Sequence, residues 1–364
     1  MKKIVFAGGG TAGHIEPALA VARVWKMRHP DDHLVFLGTS SGLETQLVPA
    51  AGFELSLIPR VRIPRKLTLK LFLVPITLIS AIHRSREVLQ GASLLIGFGG
   101  YVSAPAYIAA KLSGIPIVIH EANAKPGLAN KVGAVLSPYR AIAQGVPHGI
   151  FSHAQITGIP MRQDIAQSLE SAAGDWIRAR NEAKKSLGFK PTEPLVLVVG
   201  GSQGAKSINE SILEVRDEFD KKGIQIFHAL GMKNDLPVAA SPSSRYRATS
   251  YIKDMGTAYL AADLIIARSG AVTCSEINAL GRYALFIPLS VGNGEQKVNA
   301  LALERAHRAQ IIDQRTLSGQ WLIANIDRLL EISSGTSPEG SASDVDAGVK
   351  IVNLMENAIS GGSQ

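Results

Sequence analysis

A chain of 364 residues, 46% hydrophobic and 19% charged, is long enough for two globular domains of roughly 150 residues, and its composition excludes disordered, collagen-like and coiled-coil proteins. Its lone cysteine, Cys274, excludes a disulfide scaffold and a cysteine-based zinc site and fits a reducing compartment. The net charge of +8 is uneven: residues 1–155 hold 16 Lys and Arg against 7 Asp and Glu, whereas residues 156–364 hold 22 against 23.

The opening MKKIVFA resembles a secretion signal only until glycines interrupt it, so a cytoplasmic protein is expected. Residues 3–7 (KIVFA) predict a buried strand, residues 8–13 (GGGTAG) a tight turn, and residues 15–28 a helix with Pro17 in its first turn. Residues 33–37 predict the next strand. Residues 55–86 carry Arg60, Arg62, Arg65, Lys66, Lys70, Arg84 and Arg86 with no acid, around the apolar run 67–82. That pattern suits either a core helix with a solvated basic edge or an anionic membrane surface. Residues 88–110 are uncharged for 23 positions, but Gly91, Gly97, Gly99, Gly100 and Pro105 predict strand, turn and helix rather than a membrane span. Residues 94–98 and 116–120 are further strands. Gly and Pro in TGIPMR (157–162) mark a domain boundary.

The pattern then restarts. Pro191 and Pro194 punctuate, 195–199 (LVLVV) is a buried strand, 200–204 a second glycine-rich turn, and 207–221 a helix. Residues 225–230, 248–252, 264–267 and 284–288 predict strands, 335–348 a loop, and 350–359 a terminal helix. Strands alternating with helices predict an α/β protein of two doubly wound units. Aromatics at 5%, and no nucleic-acid motif, make nucleic acid an unexpected partner.

Gly8, Gly10 and Gly13 match the dinucleotide pattern G-x-G-x-x-G, yet the second strand ends FLGTS with no acid for a ribose until Glu44. What remains is either a plain tight turn or a helix N-terminus open to an anion. The loop GGSQGAKS (200–207) imitates a phosphate-binding Walker loop, but Ala205 stands where the glycine before lysine is required, so no ATPase follows. It still offers amides and the Ser202 hydroxyl. A third anion site is expected at RSGAVTCSE (268–276), where a strand runs into a helix near Ala271. Glu276 there reads equally as a ribose ligand or as a favourable early-helix charge. His14, after the first turn, reads as a general base or as a capping histidine. His120 and Glu121 end a strand at its carboxyl edge; metal ligation lacks a spaced third ligand, so no metal is expected.

Seven segments in order carry a family resemblance: GGGTAGHIEPALAVA (8–22), FGGYVSAPAYIAA (98–110), IPIVIHEANAKPGLANK (115–131), TGIPMR (157–162), VVGGSQGAKSIN (198–209), ADLIIARSGAVTCSEI (262–277), and ALFIPL with EQKVNA (284–300). Along nearly its whole length the chain resembles the MurG family, peptidoglycan UDP-N-acetylglucosamine transferases of the GT-B type. The resemblance implies two Rossmann-like doubly wound domains facing across a cleft: residues 1–161, joined by the terminal helix 349–364, for a lipid acceptor, and residues 162–348 for the UDP-sugar. It implies an inverting transfer of N-acetylglucosamine (GlcNAc) from UDP-GlcNAc to the C4 hydroxyl of N-acetylmuramic acid on an undecaprenyl-pyrophosphoryl-pentapeptide lipid. His14 is the candidate base and Glu121 the runner-up. Thr11, Ala12, Gly13 and Asn123 would face the donor, Arg162 and Ser202 the diphosphate, and Ile252 the uracil. Ala271, Val272 and Thr273 would cradle phosphate, Cys274 and Ser275 would also belong to the UDP-GlcNAc site, Glu276 would hold the ribose, and Gln296 the sugar hydroxyls. No cofactor is implied. Peripheral attachment to an anionic membrane on its cytoplasmic side is implied, with cell-wall synthesis and division proteins as candidate partners. Three positions depart from the family pattern: Ala12 for glycine, Ile159 for asparagine and Glu295 for glutamine. Two rivals stay open: a GT-B transferase with a soluble acceptor, and a non-catalytic nucleotide-sugar-binding membrane protein.

Overall fold

The computed structural model describes residues 1–61, 74–232, 234–235, 245–289 and 293–361. The basic residues Arg62, Arg65, Lys66 and Lys70 and the first part of the apolar run 67–82 lie outside these. The chain divides into two compact units, Met1–Arg162 with Asp344–Gln364, and Gln163–Ser343.

The first unit is built on seven strands: β1 (Lys3–Gly8), β2 (His33–Gly38), β3 (Glu54–Leu57), β4 (Ala92–Gly99), β5 (Ile117–Glu121), β6 (Tyr139–Ile142) and β7 (Gln155–Ile156). They pair in parallel in the order β3-β2-β1-β4-β5-β6-β7. Alternate side chains feed the two faces. Ile4 and Phe6 join Trp25, Ile351 and Met355 on one side, while Val5 and Ala7 join Val102, Tyr107 and Ile119 on the other. Burial on both faces explains why these strands read as continuous apolar runs. The Phe6 and Phe36 rings stack at 4.8 Å, and the buried Trp25 Nε1 donates to Asp32 at 3.2 Å.

The second unit repeats the plan with β8 (Leu195–Val199), β9 (Gln225–Ala229), β10 (Tyr246–Thr249), β11 (Leu264–Ala267), β12 (Ala284–Phe286) and β13 (Ala309–Ile311), parallel in the order β10-β9-β8-β11-β12-β13. Val196 and Val198 pack on Ile208, Ile212, Val215 and Phe219 of the helix Lys206–Lys221. Leu195 faces the other way, onto Ala179 and Ala183 of the helix Trp176–Ser186.

Several boundaries differ from the sequence expectation. The first helix, Ala12–Arg28, starts three residues early, so Pro17 falls in its second turn and removes the amide that would bond the Gly13 carbonyl. β12 stops at Phe286 because the carbonyls of Ile287 and Pro288 accept from Arg268 instead of continuing the ladder. β10 ends three residues before the expected strand end. Arg162 belongs to the first unit, where its guanidinium lies 3.9 Å from Glu16. The chain re-enters that unit at Asp344 rather than 349. Gly158 leaves room for the Asp344 carboxyl, which a Cβ there would approach to 2.4 Å.

In each sheet the strand order reverses between two neighbours, β1 and β4 in the first, β8 and β11 in the second. The carboxyl ends of such pairs are where open α/β sheets bind ligands. Both glycine-rich turns and the RSG turn sit at these ends.

Candidate active site

In the first unit β1 runs into Gly8–Thr11 and β4 into Gly99–Tyr101. The two turns touch at a separation only glycine allows. Gly100 has φ +85° and its Cβ would come within 2.2 Å of the Gly9 carbonyl oxygen. His14 stands over this junction. Its Nδ1 lies 3.2 Å from the Thr11 hydroxyl, and a Cβ on Gly99 would reach 3.3 Å from its ring. Burial holds the imidazole below the ordinary histidine value, offset in part by Glu121, a Gly9 backbone hydrogen bond and Glu44. A neutral imidazole near pH 7 can accept a proton.

Glu121, at the end of β5, is nearly fully buried. Its Oε1 accepts from the Asn123 amide at 2.9 Å and Asn123 Nδ2 at 3.1 Å; its Oε2 accepts from the Gly127 amide at 2.9 Å and Asn130 Nδ2 at 3.0 Å. Four donors engage the four lone-pair positions of the carboxylate. In this arrangement the Glu121 carboxylate shapes the 122–127 loop. His120 is equally engaged: Nε2 donates to the Gly158 carbonyl at 2.9 Å, and burial lowers its pKa. Among the described residues no three His, Cys, Asp or Glu side chains gather at metal-binding range.

Two residues of this network escaped the sequence reading. Asn130 also donates to the His120 carbonyl at 3.0 Å and accepts from the buried Tyr107 hydroxyl at 2.8 Å. Each looks like an ordinary helical residue in sequence, and only the packing of the helices Ser103–Leu112 and Leu128–Leu136 brings them together.

In the second unit the 200–204 turn closes against 229–232. A Cβ on Gly204 would lie 1.9 Å from the Leu230 carbonyl oxygen, one on Gly231 2.2 Å from the Gly204 amide, and the Ser202 carbonyl accepts from Met232 at 3.1 Å. Lys206 is exposed and pairs with Glu210 at 3.6 Å.

After β11 the helix Ala271–Ala279 opens at Gly270 with no side-chain cap. The amides of Ala271, Val272 and Thr273 precede the first intrahelical bond, which Cys274 makes to the Gly270 carbonyl at 2.9 Å. Beside them the fully buried Ser269 hydroxyl has no hydrogen-bond partner among the described residues. The Cys274 amide is bonded, and its thiol lies in the core, where burial raises its pKa. Ser275 is half-buried, and Glu276 is buried in the second turn. Ile252 is buried in the segment after β10. Gln296, in the first turn of Glu295–Arg305, accepts from the Leu289 amide at 2.9 Å.

Arg268, the first residue of the expected third anion site, is engaged by the fold itself. Its guanidinium reaches the Ile287 carbonyl (2.9 Å), the Ser207 hydroxyl (3.3 Å) and Gln314 (2.6 Å), tying together the segments that follow β8, β12 and β13. Thr11, Ala12, Gly13, His14, Glu121, Asn123 and Arg162 thus lie in the first unit. Ser202, Ile252, residues 271–276 and Gln296 lie at carboxyl strand ends of the second.

Residues 4–138 match the glycosyltransferase family 28 N-terminal domain and residues 195–353 its C-terminal domain. A Streptomyces coelicolor protein named UDP-N-acetylglucosamine–N-acetylmuramyl-(pentapeptide) pyrophosphoryl-undecaprenol N-acetylglucosamine transferase is 44% identical, covering 98% of both chains. One of the same name from Mycolicibacterium smegmatis is 43% identical over 90% of this chain and 85% of its own. Among solved structures, Acinetobacter baumannii MurG superposes with a TM-score of 0.67 at 26% identity, covering 98% of this chain and 100% of that one. A Neisseria meningitidis UDP-GlcNAc 2-epimerase, at 15% identity, TM-score 0.60 and coverage of 98% and 100%, shares the fold.

Proposed function

This chain belongs to glycosyltransferase family 28, and from that membership we propose that it moves N-acetylglucosamine from UDP-GlcNAc to the C4 hydroxyl of N-acetylmuramic acid on an undecaprenyl-pyrophosphoryl acceptor, a step of peptidoglycan synthesis. The observation that carries the reading is the division of labour between the units. The second offers an uncapped helix N-terminus with a buried, unpartnered Ser269 hydroxyl, chemistry suited to a diphosphate. The first offers a neutral imidazole at a sheet switch point.

In the proposed step the acceptor C4 oxygen bonds to C1 of the sugar from the face opposite UDP. The C1–oxygen bond to UDP breaks, its electron pair leaves with the diphosphate, and the C4 hydroxyl proton passes to His14. Inversion needs one base and no carboxylate nucleophile, which agrees with Glu121 being fully engaged. The amides of 271–273, with Ser202 and Ser269, meet the charge that grows on the leaving diphosphate. Glu276 takes the ribose hydroxyls, Ile252 the uracil edge through its backbone, Asn123 and Gln296 the sugar, and Arg162 the diphosphate side of the first unit.

We further place the protein at an anionic membrane surface on its cytoplasmic side. The helix Val74–Leu89 buries Ala81, Ser85, Val88 and Leu89 but exposes Ile76 and Ile79 by 65% and 67%, and carries Arg84 and Arg86 further along. Exposed isoleucines beside arginines suit a lipid interface. Among the described residues no helix is long and apolar enough to cross a membrane.

A labelled-sugar transfer assay with the lipid-linked acceptor, run with UDP-GlcNAc and UDP-GalNAc, tests the reaction. Product from UDP-GlcNAc is expected. Transfer only to a water-soluble acceptor, or nucleotide-sugar binding without turnover, would favour the rival readings.

A further inference from the structure

The first glycine-rich turn has the sequence of an anion cradle, yet an anion of the chain itself already fills it. Glu44, the first residue of the short helix Glu44–Ala50, is fully buried. Its Oε2 accepts from the Gly10 amide at 2.8 Å, and its Oε1 accepts from the Thr39 amide at 2.7 Å and the Thr39 hydroxyl at 3.1 Å. One side chain therefore bridges the turn after β1 to the turn after β2.

The surrounding sequence is cut to fit this carboxylate. A Cβ on Gly42 would lie 2.0 Å from Oε2, one on Gly38 2.4 Å from Cγ, and one on Gly9 3.1 Å from Oε1. Three glycines from two turns leave the space that Glu44 takes up. On the opposite side the Gly9 carbonyl is pressed by Gly100, and Gly10 lies against the Tyr101 ring. The turn is thus gripped between Glu44 and the residues following β4, and His14 is carried on the helix that leaves it.

Building on the transferase reading above, we propose that Glu44 is a positioning residue of the reaction: it locks the 8–11 turn by taking the Gly10 amide, so that the turn serves as a rigid seat for His14 and an uncharged acceptor hydroxyl rather than as a phosphate cradle. An amide already donating to an internal carboxylate is not offered to a substrate phosphate, and negative charge beneath the turn opposes a second anion there. The charged groups acting on the imidazole are Glu121 and Glu44, both of which raise its proton affinity against burial. Arg60 stands 4.3 Å over the Tyr101 ring, beyond Gly10.

The test compares the wild type with Glu44→Gln and Glu44→Asp. Glutamine keeps the volume but must turn an NH2 donor toward the Gly10 or Thr39 amide, so the turn loosens and the charge is lost. Turnover should fall about tenfold to a hundredfold, with the KM for UDP-GlcNAc within about twofold. The acid limb of the kcat/KM profile should move to lower pH. The His14 ring-proton resonance, titrated by NMR, should show the same downward shift. Aspartate keeps the charge but is one methylene too short to span both amides, so the His14 midpoint should stay near wild type while turnover still falls. The NMR titration needs no turnover: absence of transfer by the wild type defeats the functional reading, while the midpoints still report whether Glu44 acts on His14. An unmoved His14 midpoint in folded Glu44→Gln overturns the proposal. So does wild-type turnover in either folded variant, or a rise in donor KM with turnover unchanged, which would make Glu44 part of a donor cradle.

Discussion

Acidification should weaken the second unit through His228, and the size of the effect follows from its surroundings. His228 lies on β9, fully buried, with Nε2 3.1 Å from Asn209 Oδ1 and Nδ1 3.0 Å from the Tyr246 hydroxyl. The Asn209 oxygen can only accept, so Nε2 carries the proton and Nδ1 accepts from Tyr246. Burial pushes the His228 pKa from 6.5 down to about 4. The unfolded chain therefore takes up a proton, as pH falls through 6.5, that the folded unit refuses. Stability is full above that value, declines between 6.5 and 4, and loses nothing more from this group below 4. The whole shift is worth about 3 kcal/mol, of which about 2 kcal/mol is lost by pH 5. The consequence reaches the site, because Asn209 Nδ2 also donates to the Leu230 carbonyl at 2.9 Å, the group against which Gly204 closes the Ser202 turn. Hydrogen exchange of the β9 amides, corrected for intrinsic rates, reads this unit alone; the first unit must be kept apart because His14 and His120 are also lowered there. Between pH 7 and 5 the wild type should lose about 2 kcal/mol more opening free energy than His228→Gln, roughly thirtyfold in protection. Equal pH dependence in the two proteins would refute a neutral buried His228.

Other outcomes follow from the same geometry. His14→Ala should lower turnover by roughly 10²- to 10⁴-fold if the imidazole is the base, and a loss under about tenfold with unchanged substrate affinity would remove it from that role. Ser269→Ala deletes a buried hydroxyl that has no protein partner, so the melting temperature should hold or rise while the KM for UDP-GlcNAc increases; a large drop in melting temperature would show that the hydroxyl serves the fold. Replacing both Ile76 and Ile79 by Ser should reduce co-sedimentation with anionic vesicles without altering far-ultraviolet circular dichroism, since both side chains are exposed. Equal binding of the wild type to neutral and anionic vesicles, or to neither, would count against the membrane face. Gly100→Ala combines a φ of +85° with a contact of 2.2 Å on Gly9, so turnover should fall more than unfolding resistance; a fully active variant would mean the turns do not touch in solution.

Much was legible in the order of residues. Buried parallel strands show as unbroken apolar runs, so 3–7, 195–199 and 264–267 declared themselves, and the glycine turns after them placed both switch points. Family motifs identified the class of enzyme, which the family 28 domain matches bear out. What the sequence could not decide were the partnerships of polar groups. The four donors on Glu121 were invisible in sequence, and Glu44 looked only like a ribose acid in the wrong place until it was found beneath Gly10. Asn130 and Tyr107 carried no local signal, and Arg268 read only as the start of an anion turn, because their partners lie on other elements. Periodicity reports which face of an element is apolar and so fixes where it packs. The hydrogen bonds of a buried side chain depend on atoms distant in sequence, and only the folded packing brings those atoms within 3 Å.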